Sequence, residues 1–294
     1  MNIELFLFSC VPWINMKNTL GIFSWFGYKL PIRERLTMIR QAGFDASSVW
    51  WGQEEDPAIW NELPAITGDL GLVLDNVHVP FEQCNNLWSE DKAVREGLVS
   101  RHISWLDDCA RVGIPRLVMH ASFEDGPAMN GLGIESVRTI VQAAEERGVV
   151  VALENVRRVD CFEAVMRAID SPALRFCYDS SHDRLTGGKG DLLRTWGRRL
   201  AVTHFSDNDG IEDRHWLPRE GIIDWQRVAR DFPLATYTGC LNLEVLVKGE
   251  PTAPPQEYLA RAFRELAWLV GVLKSPEAEN HKDTKDANDT KKRG

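Results

Sequence analysis

The chain has 294 residues, of which 44% are hydrophobic and 26% are charged, and its formal net charge is -9. A chain of this length can bury one large core, and no stretch in its middle has the composition of a linker. The acidic charge disfavours nucleic acid as a partner, because a phosphate backbone is bound by an excess of positive charge. A small neutral or polar substrate fits this charge better.

The two ends of the chain differ from its middle. Residues 1–15 are apolar, but Glu4 stands where a signal peptide carries positive charge, and the run is too short to cross a membrane. We interpret it as an N-terminal extension. Residues 274–294 have almost no apolar side chains and are expected to form a disordered tail, because burial cannot offset the entropy of ordering them. One domain is therefore predicted over residues 16–273.

The cysteines indicate the redox environment. Six of them lie far apart, without a C-x-x-C pair or the dense spacing of a disulfide-rich secreted domain. We therefore expect reduced thiols in a cytoplasmic protein.

Between the two ends, short apolar runs alternate with stretches of helical period. In chain order, the apolar runs are TLGIFSWF, FDASSVWWG, LVLDNVHVP, RLVMHAS, VVVALENV, LRFCYDSSH, LAVTHFSD and GCLNLEVL. A helical stretch follows each run, from PIRERLTMIRQAG after the first to PQEYLARAFRELAWLVGVLK after the last. Gly43, Gly113 and Gly148 close three of these helices, where a residue that tolerates positive φ is favoured.

This alternation predicts an α/β fold with parallel strands and right-handed crossovers. Eight such units in about 250 residues match a closed (β/α)8 TIM barrel. An open, doubly wound sheet is the alternative. It normally has a glycine-rich phosphate-binding turn after the first strand, and FSWFGYKLP has none.

Four of the apolar runs end on a side chain that a purely structural strand would not need. These residues are Glu154, Asp179, His204 and Glu244. The carboxyl ends of all the strands of a barrel meet at one rim, so the four side chains should converge. Carboxylates without a cationic neighbour repel one another unless a divalent ion neutralises them. The sequence therefore predicts a metal site, whose ligands suit Mn²⁺, Mg²⁺, Co²⁺ or Zn²⁺ without choosing among them.

The histidines support a site at the same rim. Five of the seven lie at or just after strand ends: His78, His120, His182, His204 and His215. A single histidine in such a position is usually a structural residue, whereas five in corresponding positions indicate function.

These motifs resemble the sugar phosphate isomerase/epimerase family, the xylose isomerase-like barrels that also include DNA repair enzymes of the endonuclease IV type. The resemblance covers residues 18–273. It is carried by NVHVP, VMHAS, ALENV, CYDSSH and, above all, THFSDNDGIEDRHWLPREGIIDW. The last segment is similar to the family pattern H-x-x-D-N-D-G, D-x-H and P-G-x-G-x-I-D-W, except that Arg219 replaces a glycine.

The resemblance implies a role for each residue of the predicted site. It implies a divalent ion held by Glu154, Asp179, His204 and Glu244. The two glutamates would exchange protons on opposite sides of a bound sugar through an enediolate, and His182 would hydrogen-bond a substrate oxygen.

Other residues are predicted to contact the substrate. They are His78, His120, Asp213, His215, Arg219 and Trp25. Asp213 and His215 have two further interpretations, a loop-stabilising pair or additional metal ligands, and Trp25 has plain packing as its alternative. Arg157 and Arg158, like Arg219, are candidates to clamp a substrate phosphate or carboxylate, and Arg219 is favoured because of its loop.

Three other functions compete with a sugar isomerase or epimerase. An endonuclease IV type phosphodiesterase would use the same residue types to bind three zinc ions. The acidic charge, HFSDND in place of H-x-N-D-S-K, and the lack of basic, aromatic-rich loops argue against it. An inosose-type dehydratase would use the same metal and expel a hydroxyl, and a non-catalytic sugar-binding barrel would tolerate loss of a glutamate.

We therefore expect a metal-dependent isomerase or epimerase that acts on a ketose or a related polyol ketone. Its expected partner is a small sugar, phosphorylated or not, with neither nucleic acid nor membrane involved. The sequence leaves the oligomeric state open, a homo-oligomer included.

Overall fold

The computed structural model describes four ranges of the chain, residues 19–51, 59–187, 191–249 and 251–276. The predicted N-terminal extension, residues 1–15, lies outside these ranges, as do residues 277–294 of the predicted tail. The last helix ends at Lys274, the residue at which the tail is predicted to begin. In the described ranges, no helix combines the length and the hydropathy that crossing a bilayer requires.

Strands and helices alternate through the described chain. The strands are β1 (Leu20–Phe23), β2 (Ala46–Trp50), β3 (Val73–His78), β4 (Arg116–Met119), β5 (Val150–Glu154), β6 (Leu174–Asp179), β7 (Leu200–His204) and β8 (Leu241–Leu243). The α-helices are α1 (Ile32–Gln41), α2 (Ile59–Leu70), α3 (Lys92–Val112), α4 (Gly131–Arg147), α5 (Val159–Ala168), α6 (Ser180–Leu185), α7 (Asp191–Trp196), α8 (Trp225–Asp231) and α9 (Pro255–Lys274).

The eight strands form one parallel sheet in the order β7-β6-β5-β4-β3-β2-β1-β8. The ring is completed between β7 and β8 just beyond the end of β7. The Phe205 N–H donates to the carbonyl of Asn242 at 2.9 Å, and the Glu244 N–H donates to the carbonyl of Phe205 at 3.1 Å. The (β/α)8 barrel predicted from the sequence is confirmed.

The helix ends follow the local sequence. Asp91 caps α3 by accepting hydrogen bonds from the N–H groups of Ala93 and Val94. Gly113 ends α3 and Gly148 ends α4, with φ of 76° and 65°, as the glycine pattern predicts.

Small apolar side chains fill the barrel interior below the rim: Val118, Val150, Ala152, Cys177, Ala201 and Val202. Side chains alternate along a strand, so Arg116 and His120 share the inward face of β4 with Val118. Arg116 lies at the start of the strand, and His120 follows its end at the rim. The barrel thus has polar groups at two levels, separated by an apolar layer.

The predicted end of the sixth strand at Asp179 is confirmed. Within the run LRFCYDSSH, β6 ends at Asp179 and α6 begins at the next residue. The Asp179 carboxylate caps this helix, because its Oδ1 accepts the His182 N–H at 2.7 Å. The cap turns the chain sharply and brings His182 back over the rim.

The cysteines agree with the prediction of reduced thiols. Five lie in the described residues, and all are unpaired and buried: Cys84, Cys109, Cys161, Cys177 and Cys240.

Candidate functional site

The four predicted metal ligands converge at one side of the rim. Glu154, Asp179 and His204 are the last residues of their strands, and Glu244 follows β8 directly. Each offers one ligand atom, and the four atoms lie within 4.8 Å of one another. The Nδ1 atom of His204 is 2.9 Å from Glu244 Oε2 and 3.3 Å from Glu154 Oε2.

This group is almost completely buried and carries excess negative charge. Asp179 and His204 are fully buried, and Glu154 is 1% exposed. Among the described residues, no lysine or arginine forms an ion pair with the three carboxylates, which have only histidines as partners. Burial raises the pKa of Asp179 to about 7, and the carboxylate of Glu154 adds to the rise, which His182 opposes. The Asp179 Oδ2 atom is buried without a hydrogen-bond partner.

A second group of ligand atoms meets the first at Glu154. The Nε2 atoms of His78 and His120 lie 3.1 Å and 3.2 Å from Glu154 Oε2 and 3.2 Å from each other. The Nδ1 atom of His78 faces the carbonyl of Val79 at 2.8 Å. A carbonyl only accepts, so this Nδ1 carries the proton and the Nε2 of neutral His78 has only a lone pair. Of the three converging atoms, only His120 Nε2 can then carry a proton, and it can donate that proton either to His78 Nε2 or to Glu154 Oε2. The other contacts in the group have no hydrogen to share.

A third group lies beside the others and repeats this geometry. Asp213 Oδ2 is 3.0 Å from His182 Nε2 and 3.0 Å from His215 Nε2. The Nδ1 atoms of the two histidines face the carbonyls of Asn155 at 2.9 Å and Glu244 at 3.1 Å. Burial would lower the pKa of His215, but the Asp213 carboxylate raises it to about 10. Either two extra protons or a cation is needed to balance this group.

The donor set of these groups fits divalent metal ions. Histidines whose Nδ1 donates to a backbone carbonyl present Nε2 in the tautomer that binds metals. Buried carboxylates that converge without a protein cation are stabilised by a divalent ion. Glu154 belongs to the first two groups, and its Oε1 is 3.3 Å from His182 Nδ1 in the third.

Asp207 holds the loop that carries Asp213 and His215. Its backbone pairs in both directions with Trp216 at 2.8 Å and 2.9 Å. Its buried carboxylate accepts the N–H groups of Ile223 and Arg219, each at 3.0 Å, and the indole N–H of Trp225 at 3.1 Å.

The same loop closes tightly at Gly221. A Cβ at this position would lie 2.1 Å from the carbonyl oxygen of Asn208, so no larger residue fits without a shift of the backbone. Close packing against Asn208 therefore explains why the family pattern has a glycine at the position of Gly221.

A cavity of about 450 Å³ opens above the ligand groups. The predicted site residues that line it are His78, His120, Glu154, His182, Asp213, His215 and Glu244. Aromatic side chains form one wall of the cavity. The ring centroid of Phe81 lies 4.6 Å from that of His120, 5.5 Å from that of Trp50 and 5.4 Å from that of Phe123. The cavity therefore has a floor of candidate metal ligands and an aromatic wall, which suits a molecule with both hydroxyl groups and C–H faces.

Two predicted substrate contacts lie outside this lining. The guanidinium of Arg219 pairs with Glu265 at 2.7 Å and lies 4.6 Å from the ring centroid of Trp268. The guanidinium of Arg35 lies over the ring of Trp25, and its Cζ atom is 5.3 Å from the centroid of that ring. Substrate contact by Arg219 and Trp25 stays a prediction.

The sequence interpretation did not single out Phe81 and Phe123. The sequence carries a signal for both, since each is the third residue after a rim histidine, in HVPF and in HASF. Asn85 fixes Phe123 by accepting its N–H at 2.9 Å and donating to its carbonyl at 3.1 Å. The wall is therefore held in place by the protein itself.

The fold and the site together define the class of this protein. A family model described as the xylose isomerase-like TIM barrel matches residues 36–269, and the chain belongs to that family. The resemblance stated from the sequence motifs is thereby confirmed.

Individual relatives are more distant. The chain is 26% identical over 256 residues to an uncharacterised protein of Sinorhizobium fredii, y4fM. The alignment covers 74% of this chain and 82% of that protein. Its fold is similar to a D-psicose 3-epimerase solved in the presence of D-fructose, with 20% identity, a TM-score of 0.73, and coverage of 87% of this chain and 99% of the other.

A third likeness concerns a longer protein. A xylose isomerase-like TIM barrel/4-hydroxyphenylpyruvate dioxygenase fusion protein matches 89% of this chain, with 20% identity and a TM-score of 0.73. The chain spans 45% of that protein's length. At these identities, the two structural likenesses show the fold.

Proposed function

We propose that this protein is a divalent-metal-dependent sugar isomerase or epimerase that acts on a ketose or a related polyol ketone through an enediolate. The observation that carries the proposal is the position of two glutamates. Glu154 and Glu244 both lie against His204 Nδ1, at 3.3 Å and 2.9 Å, and both line the cavity. Two carboxylates beside one candidate metal position supply a base and an acid, which enolisation requires.

The metal would be held by Glu154, Asp179, His204 and Glu244. When bound, a divalent ion supplies an electrophile that polarises a carbonyl and stabilises negative charge on oxygen. The geometry of the chain supports this role, because the four ligand atoms lie within 4.8 Å of one another.

The side chains around the metal position would divide the remaining work. One glutamate removes the proton from the carbon next to the carbonyl. The other returns a proton to the opposite face in an epimerisation, or to the neighbouring carbon in an isomerisation. His182 would hydrogen-bond a substrate oxygen, and its ring is held by the carbonyl of Asn155 at 2.9 Å. Trp50, Phe81 and Phe123 would exclude water from one side of the sugar.

A protein of similar fold supports the same chemistry. The D-psicose 3-epimerase is named for a reaction at a carbon next to a ketose carbonyl, and its fold covers 87% of this chain. We transfer to this chain the class of reaction and leave the identity of the sugar open.

A metal-dependent phosphodiesterase is the second candidate function. The observation that favours it is the pair of additional ligand groups, one at His78 and His120 and one around Asp213. Four carboxylates at the rim carry a charge of about -4, so three divalent ions would leave about +2, which suits a phosphodiester anion. A single ion would leave the rim with a charge of about -2, which disfavours a phosphodiester at the metal position. The exposed side chains of Glu124 and Asp125, which line the cavity, disfavour the polyanionic backbone of DNA, whose charges extend along the whole cavity.

The test combines metal analysis with isotope exchange. Elemental analysis of the purified protein should give one ion per chain for the sugar enzyme, and three zinc ions for the phosphodiesterase. In D₂O, the wild-type protein should exchange deuterium into the carbon next to the carbonyl of a substrate ketose. A product that has lost one water molecule relative to its substrate would instead indicate a dehydratase.

Substitution of the two glutamates sharpens this test. Glu154→Gln and Glu244→Gln should each lower the exchange rate by about 10²- to 10⁴-fold while the protein keeps measurable metal, because the amide keeps its size and loses its basicity. Glu135→Gln, on the outer helix α4, is the matched control. Cleavage of abasic DNA without exchange into any ketose would replace the isomerase proposal with the phosphodiesterase.

A further inference from the structure

Arg157 lies on the boundary between two cavities. It follows Glu154 by three residues, in the turn between β5 and α5. The cavity above the candidate metal centre is lined by Arg157, and so is a neighbouring cavity of about 760 Å³. Leu185, the last residue of α6, is the other lining residue that the two cavities share. The first cavity is thus lined by both glutamates and by the exposed side chain of Arg157.

The structure separates Arg157 from the other two arginines that the sequence offers as clamps. Arg158 binds both carboxylate oxygens of Asp160 at 2.8 Å and donates to the carbonyl of Asp125 at 2.6 Å. Arg219 is engaged by Glu265, away from the cavity lining. Within the part of the chain that the structure describes, the guanidinium of Arg157 has neither an ion pair nor a hydrogen bond.

The surroundings leave the charge of Arg157 available. Glu124 and Asp125 line the first cavity but form no ion pair with Arg157 in the described ranges. Among the described residues, four carboxylates line the second cavity. Three are paired within the protein, Asp160 with Arg158, Glu163 with Arg167, and Asp183 with Arg227, and the fourth is Asp191 at the start of α7. An anion between the two cavities would thus meet one unpaired guanidinium.

We propose that Arg157 binds an oxyanion carried by the substrate, a phosphate or a carboxylate, so that the substrate is an acidic sugar. The inference rests on the proposed function, because the sugar must sit over Glu154 and Glu244 for its distal end to reach Arg157. A guanidinium offers up to five N–H donors in a planar fork that matches either anion. A neutral ketose of the kind named in the structural relatives would leave this charge unused.

The test measures binding to the metal-loaded protein by titration calorimetry. The probes are matched pairs, D-ribulose with D-ribulose 5-phosphate and D-fructose with D-fructose 6-phosphate, together with the carboxylate D-fructuronate. The wild type should bind one acidic probe at least about tenfold more tightly than its neutral counterpart. Arg157→Ala should lose about 10- to 100-fold of that affinity, as expected for a charge-assisted hydrogen bond, and Arg157→Lys should keep part of it.

The control variant is Arg198→Ala, which removes the same charge from an exposed position before β7, at the other end of the barrel. It should bind all probes as the wild type does. The phosphate and carboxylate probes distinguish the two sources of the anion. If Arg157→Ala binds every acidic probe as tightly as the wild type, the inference is overturned.

Deuterium exchange separates this outcome from failure of the proposed function. If no ketose exchanges but Arg157→Ala still weakens binding of the acidic probe, the enolisation fails and the anion site stands. If neutral ketoses exchange equally fast in the wild type and in Arg157→Ala, and acidic probes gain nothing, the anion site fails and the enolisation stands.

Discussion

The barrel contains two buried polar clusters that balance their charge in opposite ways. At the start of β4, Arg116 pairs with Asp75 at 2.7 Å, and the Asn76 amide donates to the other Asp75 oxygen at 2.8 Å. At the rim, beyond the end of β4, His120 contacts Glu154 and His78, and this group has too few protons to form a hydrogen bond at each contact. The lower cluster carries its own cation, whereas the rim cluster needs added positive charge, either as protons on its histidines or as a metal ion.

This difference distinguishes a cluster that balances its own charge from a candidate metal site. Burial alone does not, because Asp75 and Glu154 are each 1% exposed. The lower pair satisfies its charge within the protein, as a buried ion pair must. The rim concentrates three carboxylates with only histidines as ion-pair partners in the described ranges. Such a group is expected to cost stability until a cation binds, and the predictions below test that expectation.

The largest effect is expected from Asp179. Asp179→Ala should weaken metal binding by more than about 100-fold, because even loss of a group behind a metal ligand costs about 10- to 100-fold. Turnover should fall with metal content. Elemental analysis after gel filtration measures the content, and unchanged occupancy would remove Asp179 from the site.

A second variant separates the metal from the helix cap that Asp179 also provides. Asp179→Asn keeps a good N-cap and removes the charge. Without metal, this variant should be at least as stable as the metal-free wild type, because one of the converging carboxylates is gone. A clear loss of stability in urea would mean that the rim is balanced without a metal.

The lower cluster should respond in the opposite way. Arg116→Met leaves Asp75 buried without its cation and should lower the free energy of unfolding by about 3 to 5 kcal/mol. The double variant with Asp75→Asn should recover much of that loss. Urea titration of both proteins measures the effect. If Arg116→Met alone is as stable as the wild type, Asp75 does not depend on Arg116 to balance its charge.

Removal of metal should have an intermediate effect. A ligand present at 100 times its dissociation constant stabilises the folded state by about 2.7 kcal/mol. Chelation of the wild type should therefore lower its melting temperature, and addition of the right divalent ion should restore it. The control is Asp179→Ala, whose melting temperature should change little. An equal shift in both proteins would place the stabilising ion elsewhere.

The sequence predicts the barrel and the convergence of the rim side chains for a physical reason. A strand that ends on Glu154 or His204 places that side chain at the rim whatever the loops do, because parallel strands share one carboxyl edge. The same logic cannot place side chains that depend on loop conformation. His182 reaches the rim because a short helix follows Asp179, and strand periodicity does not predict that helix.

Arg219 shows the same limit in a single residue. The loop sequence predicts a substrate clamp, but the direction of the side chain depends on contacts with α9, which lies far along the chain. Arg157 gives no stronger sequence signal, and only its position between two cavities distinguishes it. Strand periodicity therefore predicts residues at strand ends, whereas residues in long loops require the tertiary structure.

The smallest effect is expected at Arg219, where the family pattern has glycine. Its φ is 74°, a left-handed conformation that costs a residue with a side chain about 1 to 2 kcal/mol. Contacts with Glu265 and Trp268 offset this cost. Arg219→Ala keeps the strain and loses the contacts, so it should be less stable by about 1 kcal/mol. Arg219→Gly loses the contacts and the strain together, so its stability should stay close to that of the wild type.

The same two variants decide whether Arg219 belongs to the charge balance of the rim. Its guanidinium points to α9, so metal affinity and the KM for a substrate ketose should be unchanged in both variants once folding is complete. A KM that rises equally in Arg219→Ala and Arg219→Gly, despite their different stabilities, would show that this arginine contacts the substrate. Tighter metal binding in both would mean that the guanidinium already balances part of the rim charge, and the contrast with the Asp75–Arg116 pair would fail.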